Sequence, residues 1–170
     1  MNLDDLETAR QIDRQNFLAE IDGLPDQLAR AYEMGIKTCE VLKTSQVSQV
    51  SPARVVIAGM GGSAIGADLL AAYVADVCPV PVIVHRDYSL PAFARGAETL
   101  VVCSSHSGAT EETLDSFEAA RKNGCNIVAI CTGGELASRA SQAGAPVLTF
   151  SHRGQPRAAV GYSFGLLLAC

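Results

Sequence analysis

No stretch of this 170-residue chain is rich in lysine or arginine. Its 13 basic residues are outnumbered by 18 acidic ones, which leaves a formal net charge of −5 and a pI near 5.1. A nucleic-acid-binding surface needs a basic stripe or patch, so no nucleic-acid partner is expected. No apolar run approaches the ~20 residues of a membrane span, so no membrane partner is expected either. The opening Met1-Asn2-Leu3-Asp4-Asp5-Leu6-Glu7 is acidic and polar, which does not read as a signal peptide. Cys-x-x-Cys is also missing: Cys39, Cys78, Cys103, Cys125, Cys131 and Cys170 are spread out, as are His85, His106 and His152. None has the spacing of metal ligands, so no metal is expected. Several of the cysteines sit inside apolar runs, which predicts buried, reduced thiols and a cytoplasmic protein.

What is present is the pattern of a globular α/β domain. Apolar residues make up 48% and charged residues 18%, too apolar for a disordered chain. Continuous, β-branched runs predict strands at Val55–Ala58, Val82–Val84, Leu100–Cys103, Ile127–Ile130 and Val147–Phe150. Helix-like segments lie between them near 63–76, 110–123 and 135–143, while 85–98 is ambiguous between loop and short helix. This alternation predicts a doubly wound, five-stranded parallel sheet flanked by helices. Before it, residues 4 to about 44 read as helical. Leu28, Tyr32, Ile36, Cys39 and Leu42 fall at helical spacing, and Pro25 suits a first helical turn. The polar stretch from Thr44 to Ser51, then Pro52, reads as a linker. The chain therefore divides into a helical arm with its linker over 1–50 and an α/β domain over 51–170. The apolar Gly161–Cys170 stretch has no C-capping signal and reads as the interior of a helix, as in a fragment of a longer protein.

Two loops at strand carboxyl ends carry the candidate chemistry, because doubly wound sheets bind ligands there. The first is Gly59-Met60-Gly61-Gly62-Ser63-Ala64-Ile65-Gly66. Its glycines allow close approach of a ligand to the backbone, and Ser63 is placed to cap the helix that follows. Asp68, inside that helix, is assigned to surface polar contacts. Gly59-x-Gly61-x-x-Ala64 also fits a dinucleotide fingerprint, with Asp87 as the acidic partner, although that aspartate comes later than the usual ~20 residues. Ser63 is not a nucleophile elbow, since Ile65 stands where glycine is required. Nor is there a P-loop, which needs Gly-Lys-Ser/Thr.

The second loop is Ser104-Ser105-His106-Ser107-Gly108-Ala109-Thr110-Glu111-Glu112-Thr113. Ser105, Ser107 and Thr110 offer hydroxyls, Gly108 permits a backbone nest, and a helix opens at Thr110. One cap needs one hydroxyl, and the surplus points to an anion such as phosphate. Glu111 and Glu112 suit the first turn of that helix, and Lys122 and Gly124 its end. Histidine as a residue type titrates near neutral pH, which makes His106 a candidate to act on a sugar ring oxygen, but the sequence supplies no orienting partner and it reads instead as a neighbouring loop side chain.

Gly61-Gly62-Ser63 after a strand, with Ser105-x-Ser107-Gly108-x-Thr110-Glu111-Glu112-Thr113, resembles the sugar isomerase (SIS) domain. Pro156-Arg157-Ala158, Gly161-Tyr162 and the N-terminal Leu3-Asp4, Asp13, Ile21, Leu24-Pro25, Gln27-Leu28 and Ala31 narrow the resemblance to the bifunctional phosphoglucose/phosphomannose isomerase family. That resemblance implies a SIS-type, flavodoxin-like sheet and a sugar phosphate substrate. It implies interconversion of glucose 6-phosphate and mannose 6-phosphate with fructose 6-phosphate, in glycolysis and gluconeogenesis. It also implies a homodimer and no cofactor. Ser63, Ser105, Ser107 and Thr110 would take the phosphate, Gly61 and Gly62 would line the site, and Arg157 would be the active-site arginine. His106 and Ala109 depart from the family, which usually has Tyr and Asn there. The family's glutamate base, ring-opening histidine and lysine lie in a second SIS half, so the chain alone would bind ligand without full catalysis. A non-catalytic sugar-phosphate sensor remains the alternative, with a dinucleotide-binding oxidoreductase domain behind it.

Overall fold

The computed structural model describes residues 4–44 and 51–170, with residues 39–44 described by their backbone alone. Five parallel strands form one sheet: β1 Arg54–Gly59, β2 Val82–His85, β3 Thr99–Ser105, β4 Asn126–Cys131 and β5 Val147–Thr149. Their order is β2-β1-β3-β4-β5. The chain thus winds outward from β1 in one direction and from β3 in the other, which leaves a switch point between these two strands.

Three helices precede the sheet: α1 Leu6–Ile12, α2 Phe17–Asp22 and α3 Leu24–Thr44. The helical reading of residues 4–44 holds, but with two breaks. Asp13 explains the first, because its carboxylate accepts the backbone N–H groups of Phe17 and Leu18, both at 2.8 Å. Those amides open α2 and have no intrahelical acceptor. The linker expected between the arm and the sheet lies mostly outside the described residues, as does the side chain of Cys39.

The helices α4 Gly61–Val74, α5 Glu111–Lys122, α6 Gly134–Gln142 and α7 Val160–Ala169 follow their strands, with a short 3-10 helix at Pro156–Ala159 before α7. Alternate strand residues face opposite sides of the sheet. Ile57, Val102, Ile130 and Leu148 pack with Ala67 and Leu70 of α4, Leu166 and Leu167 of α7, and Ala31 of α3. Val56, Val101, Cys103, Ala129 and Cys131 pack with Leu114 and Phe117 of α5 and Leu136 of α6. Segment 86–98 contains no regular helix or strand. The Asp115 carboxylate accepts from the Ser89 N–H at 2.6 Å, and the Ser116 hydroxyl donates to the Ser89 carbonyl at 2.8 Å, which fix the segment to α5.

Cys103 and Cys131 are buried, Cys78 and Cys125 half-buried, and Cys170 exposed, so the expectation of buried thiols holds in the sheet and fails at Cys170. No disulfide joins the described cysteines. Burial pushes the Cys103 thiol up to about 12, with a smaller push from Cys125. No helix among the described residues is long and apolar enough to cross a membrane.

Candidate functional site

The two glycine- and hydroxyl-rich loops meet at the switch point. Gly59, at the end of β1, stands in register with Ser104 near the end of β3. The loop after β1 turns directly into α4, with Gly61 at φ 50°. Met60 occupies the N-cap position, and no side chain caps the helix. Ser63 is therefore not the expected cap. It lies in the first turn of α4, where it is 6% exposed.

The loop after β3 is held by its own hydroxyls. Ser105 Oγ lies 2.8 Å from Thr110 Oγ1 and accepts the Gly108 N–H at 3.1 Å. Ser107 Oγ accepts the Ala109 N–H at 3.2 Å. Gly108 adopts φ 67°, and a Cβ there would collide with the Gly133 carbonyl. Only glycine fits that position. Outside the loop, the Leu136 N–H donates to the Gly108 carbonyl at 2.8 Å, and Thr132 donates to the His106 carbonyl from its hydroxyl at 2.7 Å. The cradle is thus pinned to β4 and α6. Thr110 is the N-cap residue of α5, yet its hydroxyl turns back to Ser105 and caps nothing. The start of α5 keeps backbone donors without side-chain acceptors, beside the three hydroxyls of Ser105, Ser107 and Thr110.

The backbone of Arg157, in the 3-10 helix, lies against the Gly61–Gly62 turn. Gly62 lets that helix come close: a Cβ at Gly62 would lie 2.9 Å from the Pro156 carbonyl oxygen and 3.5 Å from the Arg157 Cα. The Arg157 guanidinium is exposed and sits 5.6 Å from the centre of the Phe17 ring of α2. No carboxylate among the described residues pairs with it. The structure thus brings Gly61, Gly62, Ser63 and Arg157 to one side of the sheet's C-terminal edge, with Ser105, Ser107 and Thr110 in the neighbouring loop.

The sequence reading missed the histidine pair and Phe17. His106 does have a partner: its Nε2 lies 3.1 Å from Nδ1 of His152. Ser105 is the last β3 residue and faces α5, so His106 faces the α7 side, against Phe150. Burial, and then the charge of His152, hold the His106 imidazole below its usual value near 6.5. The one signal in sequence was position, since each histidine follows a strand run by a few residues.

A family model described as SIS domain matches residues 50–151. The chain belongs to the SIS domain family. The Gly59-x-Gly61-x-x-Ala64 turn is thereby part of a SIS domain. Asp87, the acidic residue of the dinucleotide alternative, turns its carboxylate to the Tyr88 N–H at 2.8 Å. Asp68 pairs with Arg86 across the surface of α4.

Among curated relatives, the bifunctional phosphoglucose/phosphomannose isomerase of Caldicellulosiruptor bescii is 48% identical over 145 residues, covering 85% of this chain and 41% of that protein. The enzyme of the same description from Thermoplasma acidophilum is 41% identical over 108 residues, covering 64% of this chain and 32% of that protein. The SIS chain therefore spans about two-fifths or less of the length of these relatives. Among solved structures, tagatose-6-phosphate ketose/aldose isomerase from Escherichia coli superposes with a TM-score of 0.65 at 17% identity, covering 90% of this chain and 46% of that one. The Vibrio vulnificus NanR protein, complexed with ManNAc-6P, superposes with a TM-score of 0.60 at 17% identity, covering 87% of this chain and 58% of that one. At such identities these two structures share the fold with this SIS domain.

Proposed function

We propose that this chain is the sugar-phosphate-binding part of an aldose–ketose isomerase that interconverts glucose 6-phosphate and mannose 6-phosphate with fructose 6-phosphate. The observation that carries the reading is the Ser105–Gly108–Thr110 cradle, set at the switch point beside the Gly61–Gly62 turn and Arg157. The 48% identity to a bifunctional phosphoglucose/phosphomannose isomerase supports it. In this proposal Ser63, Ser105, Ser107 and Thr110 hold the phosphate, and Gly61 and Gly62 let the substrate approach the backbone. Anchoring the phosphate away from the reacting carbons lets its binding energy orient C1 and C2. The Arg157 guanidinium stabilises an anionic enediolate or the phosphate.

The proton transfer between C1 and C2 needs a carboxylate base, which we assign to the part of the parent protein matching the rest of the relatives' length. Residues 1–50 serve as a helical arm and 51–170 as the SIS unit. The parent is a cytoplasmic homodimer that needs no metal or nucleotide.

Two measurements test this. Calorimetric titration of the chain with fructose 6-phosphate is expected to show binding, and a folded chain with no heat of binding at millimolar ligand would overturn the assignment. An isomerase assay on the full-length parent with both aldose phosphates is expected to show turnover of each. Binding without turnover in the parent would favour a sugar-phosphate sensor instead.

A further inference from the structure

Behind the cradle lies a chain of titratable groups that the isomerase reaction as proposed leaves unused. His106 Nε2 is 3.1 Å from His152 Nδ1, and His152 Nε2 is 3.9 Å from Oε2 of Glu20 in α2. The side chains of His152 and Glu20 are 9% and 28% exposed. Glu20 Oε2 is buried without a hydrogen-bond partner. Gly154 makes room for that carboxylate, since a Cβ at 154 would collide with it. Phe150 and Tyr162 wall the pair: their rings stack at 5.0 Å, with His106 5.8 Å from Phe150 and His152 6.1 Å from Tyr162.

This arrangement restricts the protons the pair can hold. In a hydrogen bond between two imidazoles, one nitrogen donates and the other accepts. Neutral rings satisfy it, and so does a pair carrying one extra proton, but two imidazolium rings do not. The Glu20 carboxylate beside His152 favours the singly charged pair, and burial disfavours it. Among the described residues, the Tyr162 phenol from α7 also faces the pair and Arg153 follows His152 in the chain, while the Arg157 guanidinium is turned to Phe17. In the free protein burial, and then the charge of His152, hold the His106 ring below its usual value, which leaves room for ligand to raise it. His106 sits between Ser105 and Ser107, in the loop assigned to the phosphate. A dianion arriving there adds attraction for a proton on that ring.

We propose that His106 and His152, backed by Glu20, form a proton-holding pair that takes up one proton from solvent when a sugar phosphate enters the cradle. The inference rests on the phosphate reading of the site. It makes His106 a specificity element that favours dianionic ligands through a mobile proton rather than a fixed cation.

The test is calorimetric titration of this chain with fructose 6-phosphate at pH 6, 7 and 8, in buffers of different ionisation heat. It is run beside His106→Gln and His152→Gln and paired with a pH titration of the wild-type histidine resonances. The wild type is expected to take up more protons per ligand than either variant. Its affinity relative to His106→Gln should fall with rising pH, by up to about ten-fold per unit. Saturating ligand should move the His106 resonance titration to higher pH in the wild type, a readout that needs no variant to fold. Equal proton uptake in all three proteins, with that titration unmoved by ligand, would overturn the proposal while leaving phosphate binding intact. A folded wild type that does not bind fructose 6-phosphate at any pH overturns the phosphate reading, and this proposal with it.

Discussion

The hydroxyls of Ser105 and Thr110 lie 2.8 Å apart, closing a loop whose floor is the Gly108 N–H on Ser105 Oγ. Ser105 belongs to β3 and Thr110 precedes α5, so this contact sets the spacing between strand end and helix start. A hydrogen bond to a charged group contributes about 1.5–3 kcal/mol. Ser105→Ala or Thr110→Ala in the full-length parent should therefore raise KM for fructose 6-phosphate by roughly ten- to hundred-fold. Ser105→Ala should also lower stability by about 1 kcal/mol, because the Gly108 amide loses an acceptor. Steady-state kinetics and chemical denaturation check both effects, and an unchanged KM in both variants would remove these residues from the phosphate site.

Gly62 controls how near Arg157 comes. A Cβ at Gly62 would stand 2.9 Å from the backbone oxygen of Pro156, which no side-chain rotation can relieve. Gly62→Ala should push the 3-10 helix away from α4, at a cost of about 1–3 kcal/mol in stability. Because Arg157 moves with that helix, ligand affinity should fall even at a temperature where the variant is fully folded. Thermal melts and calorimetry on the same sample separate the two effects. Wild-type values in both would show that the contact yields without consequence.

The sheet was legible in the sequence because parallel strands covered on both faces are continuous β-branched runs, and all five runs became strands. Only Phe150 fell outside, since β5 ends at Thr149. The hydroxyl loop was legible for a similar local reason: the residues that form it are contiguous. Its opposite, the His106–His152 contact, joins residues 46 positions apart and depends on which strands become neighbours. The break between α1 and α2 was hidden because Asp13-Arg14-Gln15-Asn16 contains no glycine or proline. There the side chain of Asp13 replaces a helical carbonyl as acceptor. The expected cap at Ser63 failed because α4 begins earlier, at Gly61, straight from extended Met60.

Phe17 belongs to α2 and Arg157 to the 3-10 helix before α7, and their 5.6 Å contact is a cation–π interaction between these two elements. Exposed contacts of this kind contribute about 0.5–1 kcal/mol. Gln155, two residues before Arg157, donates from Nε2 to Gln15 Oε1 at 3.3 Å. If Arg157 acts on substrate, Phe17→Ala should lower kcat/KM of the parent by roughly two- to five-fold, and Phe17→Tyr should restore it. An effect of Phe17→Ala that Phe17→Tyr does not rescue would assign the loss to α2 packing instead.

His106 also links stability to pH. Burial and the neighbouring His152 charge depress its folded-state pKa below the ordinary value of 6.5. Between the depressed value and 6.5 the unfolded chain binds more protons than the folded one, so stability rises with pH across that window. The contribution is complete above about pH 6.5 and is lost as pH falls through the folded value. Urea unfolding of the ligand-free chain from pH 5 to 8 should therefore show a loss on acidification that is smaller in His106→Gln, a residue that stays neutral throughout. Groups remote from the pair titrate alike in both proteins, so the difference between the two curves reports His106 together with its coupling to His152. A difference of opposite sign, with the wild type gaining stability relative to the variant at low pH, would mean that the folded pair holds its proton more tightly than the unfolded chain. In that case Glu20, and not burial, would dominate the environment of the pair.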